Sequence, residues 1–136
     1  MHPYNPQTAE QALDLVPDEM APSVPRIAEY KARAVCAWLQ EKFDIKRPPI
    51  ATARLLVLVV ELHRRHLPFP TRRVVAEACG MGVFGLDAAL SVATARGLIT
   101  LRMDVAPGSV VRRESVIKIK RYLPSRELEA AVDAAK

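Results

Sequence analysis

The sequence predicts a mainly α-helical domain with one small β-hairpin towards its C-terminal end. Three observations carry that prediction. Apolar residues recur at helical spacing through residues 26–43, 51–66, 72–79 and 83–96. Two later stretches, 98–103 and 115–122, alternate apolar with polar residues, as half-buried strands do. Pro107 and Gly108 lie between them as a turn signal. The chain of 136 residues fits one domain with a real core, which must be mostly aliphatic because only 5% of residues are aromatic.

Composition excludes several classes. Half the residues are apolar and 26% are charged, an ordinary globular balance. The longest apolar run, 55–60, is too short to cross a bilayer, so no membrane is expected as a partner. No basic start followed by an apolar stretch reads as a signal peptide. Two cysteines, Cys36 and Cys79, are too few for a disulfide framework and suit a reducing compartment. A cytoplasmic protein is expected. No internal repeat is visible.

Residues 1–25 hold five prolines and four acids but no Lys or Arg. They read as a flexible acidic leader with one short helical turn over 9–16, capped by Thr8. The sharper alternative is a docking segment anchored by Leu13, Leu15 and Val16.

The first helix, 26–43, places Ile27, Tyr30, Ala34 and Trp38 on one face, with Val35 and Leu39 beside them. Lys46, Arg47, Pro48 and Pro49 break it. The second helix, 51–66, is apolar nearly all round between Leu55 and Leu62, the signature of a buried central helix. A strand competes for that β-branched run, but the flanks at Arg54 and at Glu61 to Arg65 extend it to helical length. Glu61 and Arg65 form a favourable i,i+4 pair, and Pro68 and Pro70 end the segment.

Thr71 is a good N-cap for a short helix over 72–79. Gly80 follows, where a helix stops in the left-handed conformation that glycine tolerates. A further helix, 83–96, closes at Gly97. The small Ala76 lets the two helices approach, and Val75, Cys79, Met81, Leu86, Ala89, Leu90 and Ala93 form their shared core. In the strands, Ile99, Leu101 and Met103 take one face and Thr100 and Arg102 the other; Ile117 and Ile119 point inward, Lys118 and Lys120 outward. After Pro124, Ser125 caps a last helix or tail whose thin edge of Leu128, Ala131 and Val132 packs on the first helix or on a second copy.

A small residue four before a turn glycine, with apolar residues flanking both, is the pattern of Ala76, Gly80, Val75, Cys79 and Met81. With Leu86, Ala89, Leu90 and Ala93 at the following apolar positions, residues 71–99 resemble a helix-turn-helix. The hairpin extends the likeness: residues 26–123 resemble the winged helix-turn-helix superfamily, including regulators of the multiple-antibiotic-resistance type. The expected architecture is therefore a winged helix-turn-helix with an extra N-terminal helix and a short C-terminal helix. The expected divisions are a leader at 1–25, the domain at 26–123 and the tail at 124–136.

The resemblance implies double-stranded DNA as partner, a homodimer and a small transcriptional regulator. It implies that the second helix of the motif enters the major groove with Val83, Phe84, Gly85, Asp87, Ala88, Ser91 and Val92 on its exposed face. That face departs from the family pattern. It holds no Arg, Lys, Asn or Gln to pair with base edges, and Asp87 would repel phosphate.

The cations lie elsewhere. Residues 26–123 hold 18 Lys and Arg against 8 Asp and Glu, a polyanion-binding balance. Arg72 and Arg73 start the leading helix, where backbone amides also favour phosphate. Arg102, Arg112 and Arg113 belong to the hairpin and its tip, and Lys118, Lys120 and Arg121 are expected on the outward face of the last strand. Together they suit a phosphate-gripping frame, with DNA contacts assigned to Arg72, Arg73, Phe84, Gly85, Ala88, Ser91, Arg102, Arg112, Arg113, Lys118 and Lys120. Specificity would then come from the wing, DNA shape or a partner.

Two alternatives stay open. Phe84, Ala88 and Val92 fall at i, i+4 and i+8, an apolar stripe that also suits a protein partner within a nucleoprotein complex. A shift in helix phase would instead bury Phe84. An initiator or architectural protein of a mobile element would share the DNA contacts without the regulatory role. Catalysis finds little support: there is no Ser-His-acid set, no HExxH and no phosphate loop, since no strand precedes Gly80, Gly82 and Gly85. His63 and His66 lack the further ligands of a zinc site and read as charge partners at a helix C-terminus. Cys36 and Cys79 read as core residues, although Arg72 and Arg73 would lower the pKa of Cys79 if it were exposed. No cofactor is expected.

Overall fold

The computed structural model describes residues 24–105 and 118–135. Among them are five helices and one two-stranded antiparallel sheet: α1 (Glu29–Phe43), α2 (Ile50–Arg64), α3 (Arg72–Cys79), α4 (Val83–Ala95), β1 (Ile99–Val105), β2 (Lys118–Pro124) and α5 (Arg126–Asp133). The expected turn at Pro107 and Gly108, the leader's helical turn and its anchors lie outside the described residues, as do Ile117, Arg112 and Arg113.

The centre of the molecule is α2. Every residue from Leu55 to Val60, and Leu62 beyond, is buried, so the apolar run is a helix wrapped by its neighbours and not a strand. Helix α1 packs across it, α5 packs on both, α3 leans against it, and β2 lies along its far end. Arg54 of α2 grips Glu29 of α1 through two nitrogens, at 2.7 and 3.3 Å. The C-terminal helix is held by Ser125, whose hydroxyl accepts from the Leu128 amide, and it buries Leu128 and Val132. Arg64 reaches across to Asp133 at 2.9 Å.

Several element boundaries and one helix phase differ from expectation; the strands, expected over 98–103 and 115–122, run over Ile99–Val105 and Lys118–Pro124. Helix α1 begins at Glu29, not at 26, because residues 24–28 run extended: Pro25 is buried, and Val24 and Ile27 pack on the core from that extended segment. Its buried face is Ala32, Val35, Cys36 and Leu39, one residue round from the expected one. Tyr30 stands 47% exposed, and Trp38 lies at the edge with the Lys42 ammonium 5.5 Å from its ring. Small residues at 32 and 36 let α1 approach α2 closely, which bulky Tyr30 and Trp38 would prevent. Helix α2 stops at Arg64, because His66 adopts a positive φ of 56° before Pro68.

The segment from Thr71 to Gly97 follows the expected caps. The Thr71 hydroxyl accepts from the Val74 amide, and Gly80 takes a φ of 72° with the Met81 amide bonding back to the Ala76 carbonyl at 2.9 Å. The chain turns through 87° between α3 and α4. Val75, Ala76, Cys79, Leu86, Ala89, Leu90 and Ala93 are buried between and beneath them, with Met81 half-buried beside them. Helix α4 ends at Ala95, one residue short of expectation, and Gly97 turns the chain into β1 with a φ of 72°.

The hairpin corrects the expected faces. Antiparallel register sets Leu101 opposite Tyr122, Met103 opposite Lys120 and Val105 opposite Lys118. Opposed residues share a face. The apolar residues of β1 therefore share theirs with the lysines, while Ile119 sits opposite Asp104 on the other side. Ile99 is buried, but Leu101, Met103 and Val105 are 42–51% exposed, because the strands run on past the helical body. The base of the hairpin is fixed by the Ser125 amide donating to the Leu98 carbonyl at 2.8 Å. Its β2 edge is covered by the α2–α3 connection, whose Phe69 amide donates to the Lys120 carbonyl at 2.9 Å and whose ring meets Tyr122 edge-on at 4.9 Å.

Candidate nucleic-acid interface

Two structural units carry the residues singled out by the sequence. The first is the junction of α3 and α4. Gly80 can turn the chain sharply because it lacks a Cβ. The turn brings the start of α4 beside the start of α3. Thr71, Arg72, Arg73 and Val83 line a concavity of about 190 Å³ there. The first turns of both helices, with their positive dipole ends, border this region. Arg73 is exposed; Arg72 is half-buried and its guanidinium contacts the Asp87 carboxylate of α4 at 3.2 Å. Asp87 is thus an anion already matched by a cation, not the bare repulsive charge the sequence implied.

The outward side of α4 is apolar. Leu86, Ala89, Leu90 and Ala93 occupy its buried side. Phe84 is therefore exposed, to 90%, with Ala88 and Val92 exposed in line with it and Ser91 beside them. Of the two phases that the sequence allowed, the structure has the stripe facing outward. Gly85 is also exposed, and a Cβ there would make only ordinary contact with Met81 at 3.7 Å. On one flank of this stripe Ile45, Pro49, Thr52 and Arg96 help to line an open groove of about 390 Å³. The Arg96 guanidinium stacks over the Phe43 ring at 4.5 Å. This groove is not legible in the sequence, because it joins the α1–α2 loop to a helix far along the chain.

The second unit is the hairpin. Arg102 and Arg121 are register partners, two like charges directly opposite each other. Asp104 answers both: its Oδ2 lies 2.8 Å from Arg102 Nη2 and 2.9 Å from Arg121 Nε. The two guanidinium groups hold the Asp104 carboxyl below its usual value. Lys118 and Lys120 stand on the opposite face, so the expected outward set of Lys118, Lys120 and Arg121 divides. Lys118 is exposed and Lys120 half-buried. Alternation within the strand already separates Arg121 from the two lysines; the register adds which β1 residues each face meets.

The remaining chemistry is quiet. Cys36 and Cys79 are both buried, and burial pushes the Cys79 thiol up to about 11. The cation nearest in effect to Cys79 is Arg54, which opposes that rise without overcoming it; Arg72 and Arg73 do not activate the thiol. Among the described residues no group of three or more His, Cys, Asp or Glu side chains is placed to hold a metal ion. No single helix among them is long and apolar enough to cross a membrane. Compared with known protein families, curated proteins and solved structures, the chain has no significant match.

Proposed function

We propose that this chain binds double-stranded DNA as a winged helix-turn-helix protein and acts, as a homodimer in the cytoplasm, as a small transcriptional regulator. The supporting observation is one stretch of backbone. Two helices meet through a glycine turn at 87°, within reach of the 90–120° of DNA-binding helix pairs, and an antiparallel hairpin follows directly. In this reading α4 enters the major groove, and Phe84, Gly85, Ala88 and Ser91 meet the base edges and thymine methyls. Arg72 and Arg73 with the helix N-termini, Lys118 and Lys120 on one face of the hairpin and Arg102 on the other, and Arg112 and Arg113 between the two strands in the sequence grip phosphates.

Such an interface draws its affinity from charge and little of its specificity from hydrogen bonds to bases. Replacing Arg112 and Arg113 together by Ala tests it. DNA affinity should fall, and the slope of log affinity against log salt should lessen by about 2. Unchanged affinity and slope would remove Arg112 and Arg113 from the interface.

A second reading is favoured by Phe84 itself. A phenyl ring 90% exposed, aligned with Ala88 and Val92, is the anchor expected of a protein-binding face. In that reading Phe84→Ala abolishes partner binding and the hairpin substitutions do not.

A further inference from the structure

A cleft of about 420 Å³ lies between the C-terminal end of α2 and the hairpin, away from the α3–α4 junction. Its size falls within the range of small-molecule sites. His63 and His66 form one wall, and Arg102, Asp104, Arg121 and Tyr122 the other. The turn that carries His66 is fixed by its positive φ and by the Leu67 amide, which donates to the Leu62 carbonyl at 2.9 Å. That wall is therefore a defined surface.

The charge arrangement sets the ligand class. One carboxylate faces two guanidinium groups, so the cluster retains a net positive charge. Arg102 and Arg121 both spend a single nitrogen on the same oxygen of Asp104, and among the described residues their other N–H groups meet no partner. The Arg121 side chain is only 20% exposed, which weakens water's screening of its charge. Asp104 holds the two planar groups in a fixed relation, and a guanidinium offers paired donors suited to carboxylate and phosphate oxygens. Histidine nitrogens on the facing wall add further polar contacts. Leu67 and Leu123 supply apolar surface within the same cleft.

We infer that this cleft binds a small organic oxyanion, a carboxylate or phosphate on a compact apolar body, clasped by Arg102 and Arg121 against the His63–His66 wall. The inference does not rest on DNA binding. The site bridges the buried central helix and both strands of the hairpin, so its occupant would stiffen the hairpin against the body.

Amide NMR titration of the full chain tests this, with inorganic phosphate, benzoate and a short DNA duplex as separate probes. Saturable shifts confined to Leu67, Arg102, Asp104 and residues 121–123 are expected with phosphate or benzoate, benzoate binding more tightly through its ring. Arg121→Met should weaken that binding roughly tenfold or more, as loss of a charge-assisted bond does. Arg102→Met, at a half-exposed position that leaves the fold intact, should weaken it as well. Linear shifts spread over all surface cations, or saturable shifts untouched by either substitution, would overturn the inference. Cleft shifts seen with the duplex alone would also overturn it, and would assign the two arginines to backbone phosphate.

Discussion

The Arg72 guanidinium lies 3.2 Å from the Asp87 carboxylate and so ties the first turn of α3 to α4. Both groups are partly open to solvent, so the pair contributes little to stability, about 0.2–1 kcal/mol. Its larger effect is electrostatic. Asp87→Ala removes an anion from the proposed DNA face. Affinity for a duplex, read by fluorescence anisotropy, should rise severalfold at low salt while the melting temperature falls by about 4 °C at most. A loss of affinity would show that the pair positions α4 and does not merely mask Arg72.

Phe84 contributes almost nothing to the core. Phe84→Ala should therefore leave the unfolding free energy, from chemical denaturation, within about 0.5 kcal/mol of the parent. Its consequence falls on binding. A drop in duplex affinity places the ring at DNA; unchanged duplex affinity places it at a protein. A large loss of stability would contradict the observed exposure.

The turn glycines differ in a measurable way. Gly80 and Gly97 both have a φ of 72°, but a Cβ on Gly80 would lie 3.2 Å from Arg54 Nη1, whereas one on Gly97 would meet nothing within 4 Å. Gly97→Ala should cost about 1 kcal/mol for the left-handed backbone alone. Gly80→Ala should cost somewhat more, because Arg54 Nη1 must also give way by a few tenths of an ångström. Equal costs in urea melts would show that Arg54 yields freely.

Gly82 offers the opposite change. It caps α4 with extended backbone angles, supplies no side-chain acceptor, and has open space where a Cβ would stand. Gly82→Ser should stabilise the protein by a few tenths of a kcal/mol. Thr71→Ala, which removes the acceptor for the Val74 amide, should destabilise it by about 1 kcal/mol. The two melts together check that the helix pair is held by its caps.

These caps explain which parts of the fold the sequence discloses. The ends of α3 and α4 depend on neighbours in the chain, so Thr71, Gly80, Gly82 and Gly97 mark them almost to the residue. The phase of α1 does not depend on neighbours. Tyr30 and Trp38 look like core residues, but close packing on α2 selects the smaller Ala32 and Cys36. The hairpin faces fail for a similar reason, since nothing in the alternation of β1 says that Ile119 will pair with Asp104. The same holds for the site. Arg72, Arg73 and Phe84 are legible from helix position, whereas the Arg102–Asp104–Arg121 cluster exists only through register.

Cys79 gives a pH dependence. Its folded thiol ionises at about 11 against an ordinary value of 9, so between these values the unfolded chain has lost a proton that the folded chain keeps. The stability that burial of the neutral thiol contributes is complete below pH 9 and is lost as pH rises towards 11. Urea melts of the parent and of Cys79→Ala at pH 8 and pH 10 should show a steeper decline for the parent. Parallel declines would mean that the thiol is not buried as described.

The proposed DNA-binding role is tested most directly by titrating the full chain into a labelled random duplex at about 50 and 200 mM salt. Six or more phosphate contacts would lower affinity between these conditions by roughly a thousandfold. Tight binding at low salt that collapses in this way is the expected result. No binding even at the lower salt would contradict it, and would leave the exposed Phe84 face as the working surface of the protein.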